Sequence, residues 1–161
     1  MEQDISKIEK EFIDRTGKIS KQWGLGEPAG RVWAALLFTE SSLSQKDIAT
    51  KTGYTLSLVS PSLKILESLN LIRSGRGENR EKLYELEVSF IEAFNIIIKR
   101  QLEHDIKPLI KHLDGIKEKN KNPKLLKLTA EYKQIEMYLG WFGKMITMKK
   151  ITGEKVKKLL E

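Results

Sequence analysis

The amino-acid sequence predicts a mainly α-helical protein with one small β-hairpin, which is an α+β fold. Three observations support this prediction. Apolar side chains recur at helical spacing through most of the chain. A glycine-rich turn, residues 75–79, lies between two short segments whose side chains alternate in polarity. In the second half, apolar side chains follow one another at spacings of three and four, which is typical of long helices that pack together.

The composition is that of an ordinary globular protein of 161 residues, with 40% hydrophobic and 32% charged side chains. There is no cysteine and no run of 18 apolar residues, and the charged N-terminus lacks the apolar core of a signal peptide. We therefore expect a cytoplasmic protein without disulfides or membrane spans. The net charge of +7 resides in residues 88–161, because residues 1–87 hold 13 basic and 13 acidic side chains. Overall charge thus does not mark the first half as nucleic-acid-binding, and local patterns must decide.

The first two predicted helices are bounded by residues with special backbone properties. Residues 3–23 carry an apolar stripe, and Gly24 ends it. Pro28 marks the first turn of a second helix, residues 28–40. Gly30 is unusual inside a helix, and we expect it to let another helix approach closely.

A third, short helix is predicted between Ser44 and Gly53. Ser44 and Asp47 have the spacing of an acidic capping box, and Gly53 is a typical residue after a helix end. A fourth helix follows and ends at Asn70, a residue type that tolerates the left-handed conformation.

Two predicted strands, residues 71–75 and 80–87, complete the hairpin. The resulting order is helix, helix, short helix, turn, helix and hairpin. This is the order of a winged helix-turn-helix, which we predict for residues 26–87. In such folds the second helix of the motif enters the major groove of DNA, so the fourth helix is the predicted recognition helix.

The predicted recognition helix contains Pro61, in a position where proline normally breaks a helix. The apolar residues at helical spacing, which define the buried face, are Leu56, Val59, Leu63 and Leu66. Pro61 then lies on the opposite face. Because proline costs little in a first turn, we expect the regular helix to start late, with Leu58 as its cap, or to be distorted over residues 56–60.

The exposed face of this helix carries hydroxyl groups, which suit bases and phosphates, and Leu58, which suits a thymine methyl group. The hairpin adds basic side chains that suit phosphates, although a solvated hairpin without a ligand is the alternative interpretation. The helix contains no arginine, so we expect DNA shape and backbone contacts to carry much of the specificity. The predicted DNA contacts are Ser44, Thr55, Ser57, Leu58, Ser60, Pro61, Ser62, Lys64, Arg73, Arg76, Asn79, Arg80 and Lys82.

The second half predicts two long helices, residues 88–119 and 124–149, and a short third one after Gly153. The second long helix carries two adjacent apolar stripes, and one small domain cannot cover both. We therefore expect residues 1–25 and 88–161 to form a dimer interface, with an intrachain bundle as the alternative. The predicted dimerisation residues are Ile8, Phe12, Leu125, Leu128, Tyr132, Ile135, Leu139, Phe142 and Ile146.

Five motifs in the first half are shared with a known group of proteins. They are GRVW (30–33), LSQKDIA (43–49), VSPSLKILE (59–67), LIR (71–73) and GENREKLY (77–84). In these motifs the chain resembles the MarR-like winged helix-turn-helix regulators, and within them the GbsR type. The resemblance implies a homodimeric transcription factor whose terminal helices form the dimer interface. It also implies DNA-facing residues at 55–64 and 76–82.

The resemblance further suggests a small-molecule effector, because some GbsR-type regulators respond to choline-like compounds. An aromatic cage suits a quaternary ammonium ion. The residues that we assign to this effector hypothesis are Trp23, Trp33, Met137 and Trp141. Packing in the core is the alternative interpretation of these side chains.

No pattern in the sequence predicts catalysis or a metal site. The two histidines, His104 and His112, have no cysteine or carboxylate at ligand spacing to complete a set. No glycine-rich phosphate loop follows a strand. We therefore expect no metal, no cofactor and no enzymatic activity.

The function predicted from these patterns is that of a sequence-specific, double-stranded-DNA-binding transcription regulator, a repressor that acts as a homodimer. Its recognition helix is residues 55–69 and its wing is residues 73–84. The rival interpretations are a winged-helix protein–protein interaction module, which uses the basic helices of residues 99–158, and a non-specific DNA-binding protein.

Overall fold

The computed structural model describes residues 2–77, 80–119 and 122–148, and it confirms a mainly helical α+β fold. The chain divides into two compact units, Met1–Ala93 and Phe94–Glu161. In chain order the elements are α1 (Glu2–Gln22), α2 (Glu27–Leu37), β1 (Leu43–Ser44), α3 (Gln45–Thr52), α4 (Leu56–Ser68), β2 (Ile72–Arg76), β3 (Lys82–Leu86), α5 (Phe90–Gln101), a π-helical turn (Leu102–Ile106), α6 (Lys107–Lys119) and α7 (Pro123–Met148). The first unit has the winged-helix arrangement, in which α2, α3 and α4 accompany a three-stranded antiparallel sheet of order β1-β3-β2.

Another helix does approach closely at Gly30, as predicted, and the structure shows that it is α1, which crosses α2 with Gly17 next to Gly30. A Cβ atom on Gly30 would collide with the side chain of Ser20 and would lie 3.2 Å from the Cα atom of Gly17. Close by, Arg31 on α2 forms an ion pair with Asp14 on α1, with 2.5 Å between nitrogen and oxygen. The N-terminal helix therefore packs tightly within the first unit.

The core of the first unit centres on Trp33, which is fully buried and stacks on Phe90 with 5.5 Å between ring centroids. Other side chains in this core with no exposed surface are Val32, Ala34, Ala35, Ile48, Val59, Leu66 and Leu71. The structure thus places Trp33 in the core and not on a surface that an effector can reach. For Trp33 the structure therefore agrees with the alternative interpretation, which was packing in the core.

The predicted boundaries of α3 are confirmed. Ser44 accepts a hydrogen bond from the backbone N–H of Asp47, and the Asp47 carboxylate accepts one from the N–H of Ser44 at 3.0 Å. Gly53 follows the helix in the left-handed conformation, with φ of 70°. Besides the two predicted strands, the structure contains a short strand, β1, directly before α3. The sequence does not predict this strand, because two extended residues are too few to show an alternation of polarity. Its Leu43 pairs with Tyr84 of β3.

Helix α4 does not start late, so the expectation of a cap at Leu58 is wrong, and the α-helix is continuous over residues 56–60, where a distortion was the alternative expectation. The helix begins at Leu56, after Thr55, and continues through Pro61 to Ser68. The Val59 N–H already donates to the Thr55 carbonyl at 3.0 Å. Pro61 therefore lies in the second turn. After the helix, Asn70 adopts a φ of 54°, as predicted.

The second unit contains the rest of α5, the π-helical turn, α6 and α7. The predicted helix over residues 88–119 is present, except that Lys107 donates its N–H to the carbonyl of Leu102, five residues back. This wider turn lies directly before Pro108, whose missing N–H interrupts regular α-helical bonding. Within this unit Phe94 meets Phe142 edge to face, with ring centroids 6.5 Å apart. The predicted helix after Gly153 lies outside the described residues.

Candidate nucleic-acid interface

The surface of α4 divides into a buried side and an exposed side. The buried side consists of Val59, Ser62, Leu63 and Leu66. The exposed residues on or next to the helix are Thr55, Leu56, Ser57, Leu58, Pro61, Lys64, Ile65 and Ser68. Leu56 was expected to be buried but is 46% exposed, because it lies in the first turn and off the centre of the buried side. Ile65 was not among the predicted contacts, although its distance of seven residues from Leu58 places both on one side of the helix.

Three predicted DNA contacts are less accessible than expected. Ser62 is only 3% exposed, and its hydroxyl donates to the carbonyl of Leu58 at 2.7 Å. Ser44 is buried and caps α3. Ser60 is half-buried. Because the hydroxyls of Ser62 and Ser44 serve the protein's own backbone, we remove both residues from the candidate interface.

The wing is a regular hairpin in which Arg76 pairs with Lys82 and Ser74 with Tyr84. At its tip the Gly77 N–H donates to the Glu81 carbonyl at 2.8 Å, and Arg80 has a positive φ of 59°. Alternation along the strands places Arg76 on the same sheet face as Tyr84. Arg76 and Arg80 are both exposed, so the turn presents two guanidinium groups to solvent. The predicted contact Asn79 lies outside the described residues.

The basic residues of the wing differ in how far their charge is neutralised. Arg73 forms ion pairs with Glu85 at 2.7 Å and Glu87 at 3.4 Å, and the hydrogen bond to Glu85 raises the pKa of Arg73. Lys82 forms an ion pair with Glu67 at 3.3 Å. Among the residues that the structure describes, no such pair involves the remaining predicted cations, which are Lys64, Arg76 and Arg80. These three cations are therefore the best placed for phosphate contacts.

Glu67 joins α4 to the wing through Lys82, a contact that its sequence context does not predict. A hydrogen bond from the Ser74 side chain lowers the pKa of Glu67, and the Lys82 ammonium adds to this effect. Lys82 also lies over the ring of Tyr84, at 4.9 Å from its centroid. These contacts hold helix and wing in one arrangement, which a two-part DNA interface needs.

The N-terminus of α4 faces solvent, and the side chain of its N-cap residue does not bond to the first backbone N–H groups of the helix. Its first turn has no acidic residue, and the side chain of Thr55 does not cap it. The Thr55 hydroxyl instead shares a hydrogen bond of 2.7 Å with the Ser57 hydroxyl. Free N–H groups at a helix start attract anions, so this end of α4 suits a backbone phosphate.

The turn between α3 and α4 is anchored by Arg31, a residue of the GRVW motif. Arg31 donates to the carbonyl of Thr52 at 3.2 Å and lies 5.0 Å from the centroid of the Tyr54 ring. Lys51 meets Glu9 of α1 at 2.6 Å. A cavity of about 500 Å³ lies beside these contacts and is lined in part by Arg31, Lys51 and Tyr54. Arg31 and Lys51 in this lining are already paired with acidic side chains of the protein, so their contacts explain how the turn is held.

The predicted dimerisation residues differ in exposure. Ile8 on α1 and Leu128 and Ile135 on α7 are exposed. The half-buried members of the set are Phe12, Leu125, Tyr132, Leu139, Phe142 and Ile146. Met137 and Trp141, from the effector hypothesis, are also exposed on α7, with Trp141 at 63%. The exposed apolar surface of α7 is therefore larger than the predicted seam.

The comparisons with known proteins concern the fold. No protein-family model and no curated protein matches the sequence. A solved structure of a transcriptional regulator is similar, with a TM-score of 0.55 and 17% sequence identity. The match covers 85% of this chain and 91% of that chain. At this identity the similarity establishes a shared fold.

Two further findings concern the described part of the chain. No group of three or more His, Cys, Asp or Glu side chains comes together there to hold a metal ion. None of the described helices is long and apolar enough to span a membrane.

Proposed function

We propose that the protein is a DNA-binding transcription regulator that recognises duplex DNA with α4 and the wing. The observation that carries this proposal is the surface that α4 and the wing form together in the first unit. The exposed side of α4 and the tip of the wing are linked through Glu67 and Lys82, and Lys64, Arg76 and Arg80 supply positive charge around them. A winged helix of this kind places its recognition helix in the major groove and its basic residues on phosphates. The similar solved structure of a transcriptional regulator supports the proposal through its fold.

The finer assignment to MarR-like regulators of the GbsR type rests on sequence motifs. VSPSLKILE lies in α4, and GENREKLY spans the wing tip and the start of β3. Repression, by occupying a promoter, is the simplest regulatory outcome of such binding. Transcription in vitro from a template that carries the bound site, with and without the protein, tests the sign of regulation.

We also propose a homodimer, because α7 exposes large apolar side chains such as Leu128, Ile135, Tyr138 and Trp141. Patches of this kind on a protein surface mark interaction sites, and two-fold symmetry matches two DNA half-sites. Sedimentation equilibrium of the double variant Leu128→Glu, Ile135→Glu should show a monomer, because the substitutions place charge in the proposed interface. An unchanged dimer would exclude this surface as the contact.

The experiment for DNA binding removes the two wing arginines together. For the variant Arg76→Ala, Arg80→Ala we expect weaker binding to all duplexes and a shallower dependence of log K on log salt. Each lost phosphate contact reduces the slope by about 0.9. Fluorescence anisotropy with a labelled duplex at several salt concentrations measures both quantities.

The matched control is Arg15→Ala, which removes an exposed arginine from α1 that pairs with Glu11 at 2.7 Å. This control should leave the slope unchanged. If the wing variant behaves like the control, the wing does not contact DNA, and the protein-interaction module becomes the better interpretation. If the wild-type protein binds every duplex equally and loses all binding at high salt, the protein is a non-specific DNA binder.

A further inference from the structure

The recognition helix exposes three apolar residues, Leu58, Pro61 and Ile65, on one side. Their spacing of three and four residues places them next to one another along the helix. Leu58 is 43% and Ile65 42% exposed, and Pro61 is exposed as well. We name these three residues the apolar ridge.

Few side chains around the apolar ridge are of the types that read bases in the usual bidentate way. Helix α4 contains no arginine, asparagine or glutamine, and lysine, which also pairs with guanine, occurs in it once, as Lys64. Its exposed polar groups are the hydroxyls of Ser57 and Ser68 and the ammonium of Lys64. Direct recognition by this helix therefore depends on hydroxyls, one ammonium group and hydrocarbon.

Hydrocarbon in a major groove has one specific partner among the four bases. Thymine presents a C5-methyl group there, whereas the major-groove edges of guanine, adenine and cytosine carry polar donors and acceptors. The surroundings favour DNA over an apolar protein surface as the occupant of the ridge. Lys64 lies on the same helix, and the exposed Arg76 and Arg80 lie on the wing that Lys82 and Glu67 tie to this helix. Cations beside a strip of hydrocarbon match a polyanion that carries methyl groups.

Pro61 shapes this surface. Its ring is rigid and points away from the buried side of α4, so it presents hydrocarbon that does not have to be ordered on binding. Alanine at this position would remove the cost of an interior proline but would leave a gap between Leu58 and Ile65.

We propose that the apolar ridge reads thymine methyl groups in the major groove, so that the preferred DNA site has thymines opposite Leu58 and Pro61 in each half-site. This inference rests on the proposed DNA-binding function and adds the chemical feature of the site that is recognised. It predicts that the methyl groups, and not merely the A·T pairing, contribute to affinity.

The test begins with a duplex that the full-length protein selects from a randomised library. The same duplex is then made with deoxyuridine in place of thymidine, which removes the methyl groups and keeps the base pairing. We expect deoxyuridine to weaken binding by roughly threefold to tenfold for each methyl that the ridge contacts. In the variant Leu58→Ala the ratio between the two dissociation constants should shrink toward one, since the ridge is shortened.

Leu56→Ala is the matched control, because it removes an exposed leucine from the same turn on the other flank of the helix. It should keep the wild-type ratio. Both leucines are exposed, so both variants should fold, and a urea melt verifies this.

Several results would overturn the inference. A wild-type protein that prefers the selected duplex but binds its deoxyuridine form equally well leaves the proposed function standing and excludes methyl readout. An equal loss in wild type and Leu58→Ala shows that the methyl groups act through DNA shape. A change in oligomeric state for Leu58→Ala, with the ratio unchanged, identifies the ridge as a protein contact. A selection that enriches no duplex contradicts the proposed function itself.

Discussion

Replacing Pro61 with alanine should stabilise the protein, because Pro61 is an interior residue of α4 and not a residue of its first turn. Helix α4 begins at Leu56, and the Val59 N–H already forms a regular helical bond. At Pro61 the ring removes the bond to the Ser57 carbonyl and crowds that carbonyl. Alanine restores the donor and relieves the crowding.

The size of the effect follows from where Pro61 lies. An interior proline costs about 3 kcal/mol relative to alanine in a helix. Ser57 is exposed, so water can hydrate its carbonyl in place of the missing N–H, and this lowers the cost at Pro61 by about 1 kcal/mol. The proline ring is also in solvent, so no core contact is lost with it. We expect Pro61→Ala to raise the free energy of unfolding by about 2 kcal/mol.

Urea denaturation followed by far-ultraviolet circular dichroism measures this change. Protein concentration must be equal for all variants, because dimerisation would contribute to stability. For a chain of this length the expected gain corresponds to about 4–8 °C in Tm.

Ile65→Ala is the control on the same helix, since it changes an exposed side chain without altering the backbone, and its effect should stay within about 0.5 kcal/mol. A Pro61→Ala variant that is no more stable than wild type would refute the reasoning, because the proline would then be free of strain. Weaker DNA binding in a more stable Pro61→Ala variant would show that the proline is kept for recognition.

Further predictions concern glycine packing and helix capping in the two units. Gly30→Ala should lower stability by about 1–3 kcal/mol in the same melt, because its Cβ atom would collide with a side chain of α1. The same substitution at Gly115, where a Cβ atom meets nothing within 4 Å, should raise stability by about 0.5–1 kcal/mol, and equal signs for the two variants would contradict the packing argument. Ser44→Ala should cost about 1 kcal/mol, since it removes the cap of α3. Hydrogen bonds from Ser44, first from its side chain and then from its backbone, lower the pKa of Asp47 below its ordinary value of 3.8. The stabilisation by this carboxylate is therefore present above that pH and is lost as the pH falls through the folded-state pKa, so Asp47→Asn should flatten the acid side of a stability–pH curve measured by urea melts.

Local signals in the sequence predicted several features that the structure confirms. The capping box of Ser44 and Asp47 satisfies backbone N–H groups within three positions, and Gly53 tolerates the left-handed conformation. The close approach at Gly30 depends on the absence of a Cβ atom. The hairpin was predicted for a similar reason, since a glycine-rich turn between alternating segments has few other structures available. Such signals act before any distant part of the chain is in place.

Exposure along α4 was predicted less well. Periodicity alone placed Leu56 on the buried side and Ser62 on the exposed side, and the structure reverses both. The side of a helix that is covered depends on the direction from which its neighbours pack. Here α2 and α3 cover the side with Val59 and Leu66, and the first turn extends beyond them.

The sequence by itself determined the order of the helices and the hairpin, the capping box and glycine end of α3, the close approach of another helix at Gly30, and the presence of Pro61 on the outer side of α4. Only the tertiary structure decided which basic residues of the wing keep their charge available. Arg73 and Glu85 are 12 positions apart and Lys82 and Glu67 are 15 apart, yet the strand register and the packing of α4 bring each pair into contact. Ion pairs of this kind follow from the three-dimensional path of the chain, because many acidic residues are available to each cation and the fold selects one. Among the described residues, that selection leaves Lys64, Arg76 and Arg80 as the cations best placed for the proposed contacts with DNA phosphates.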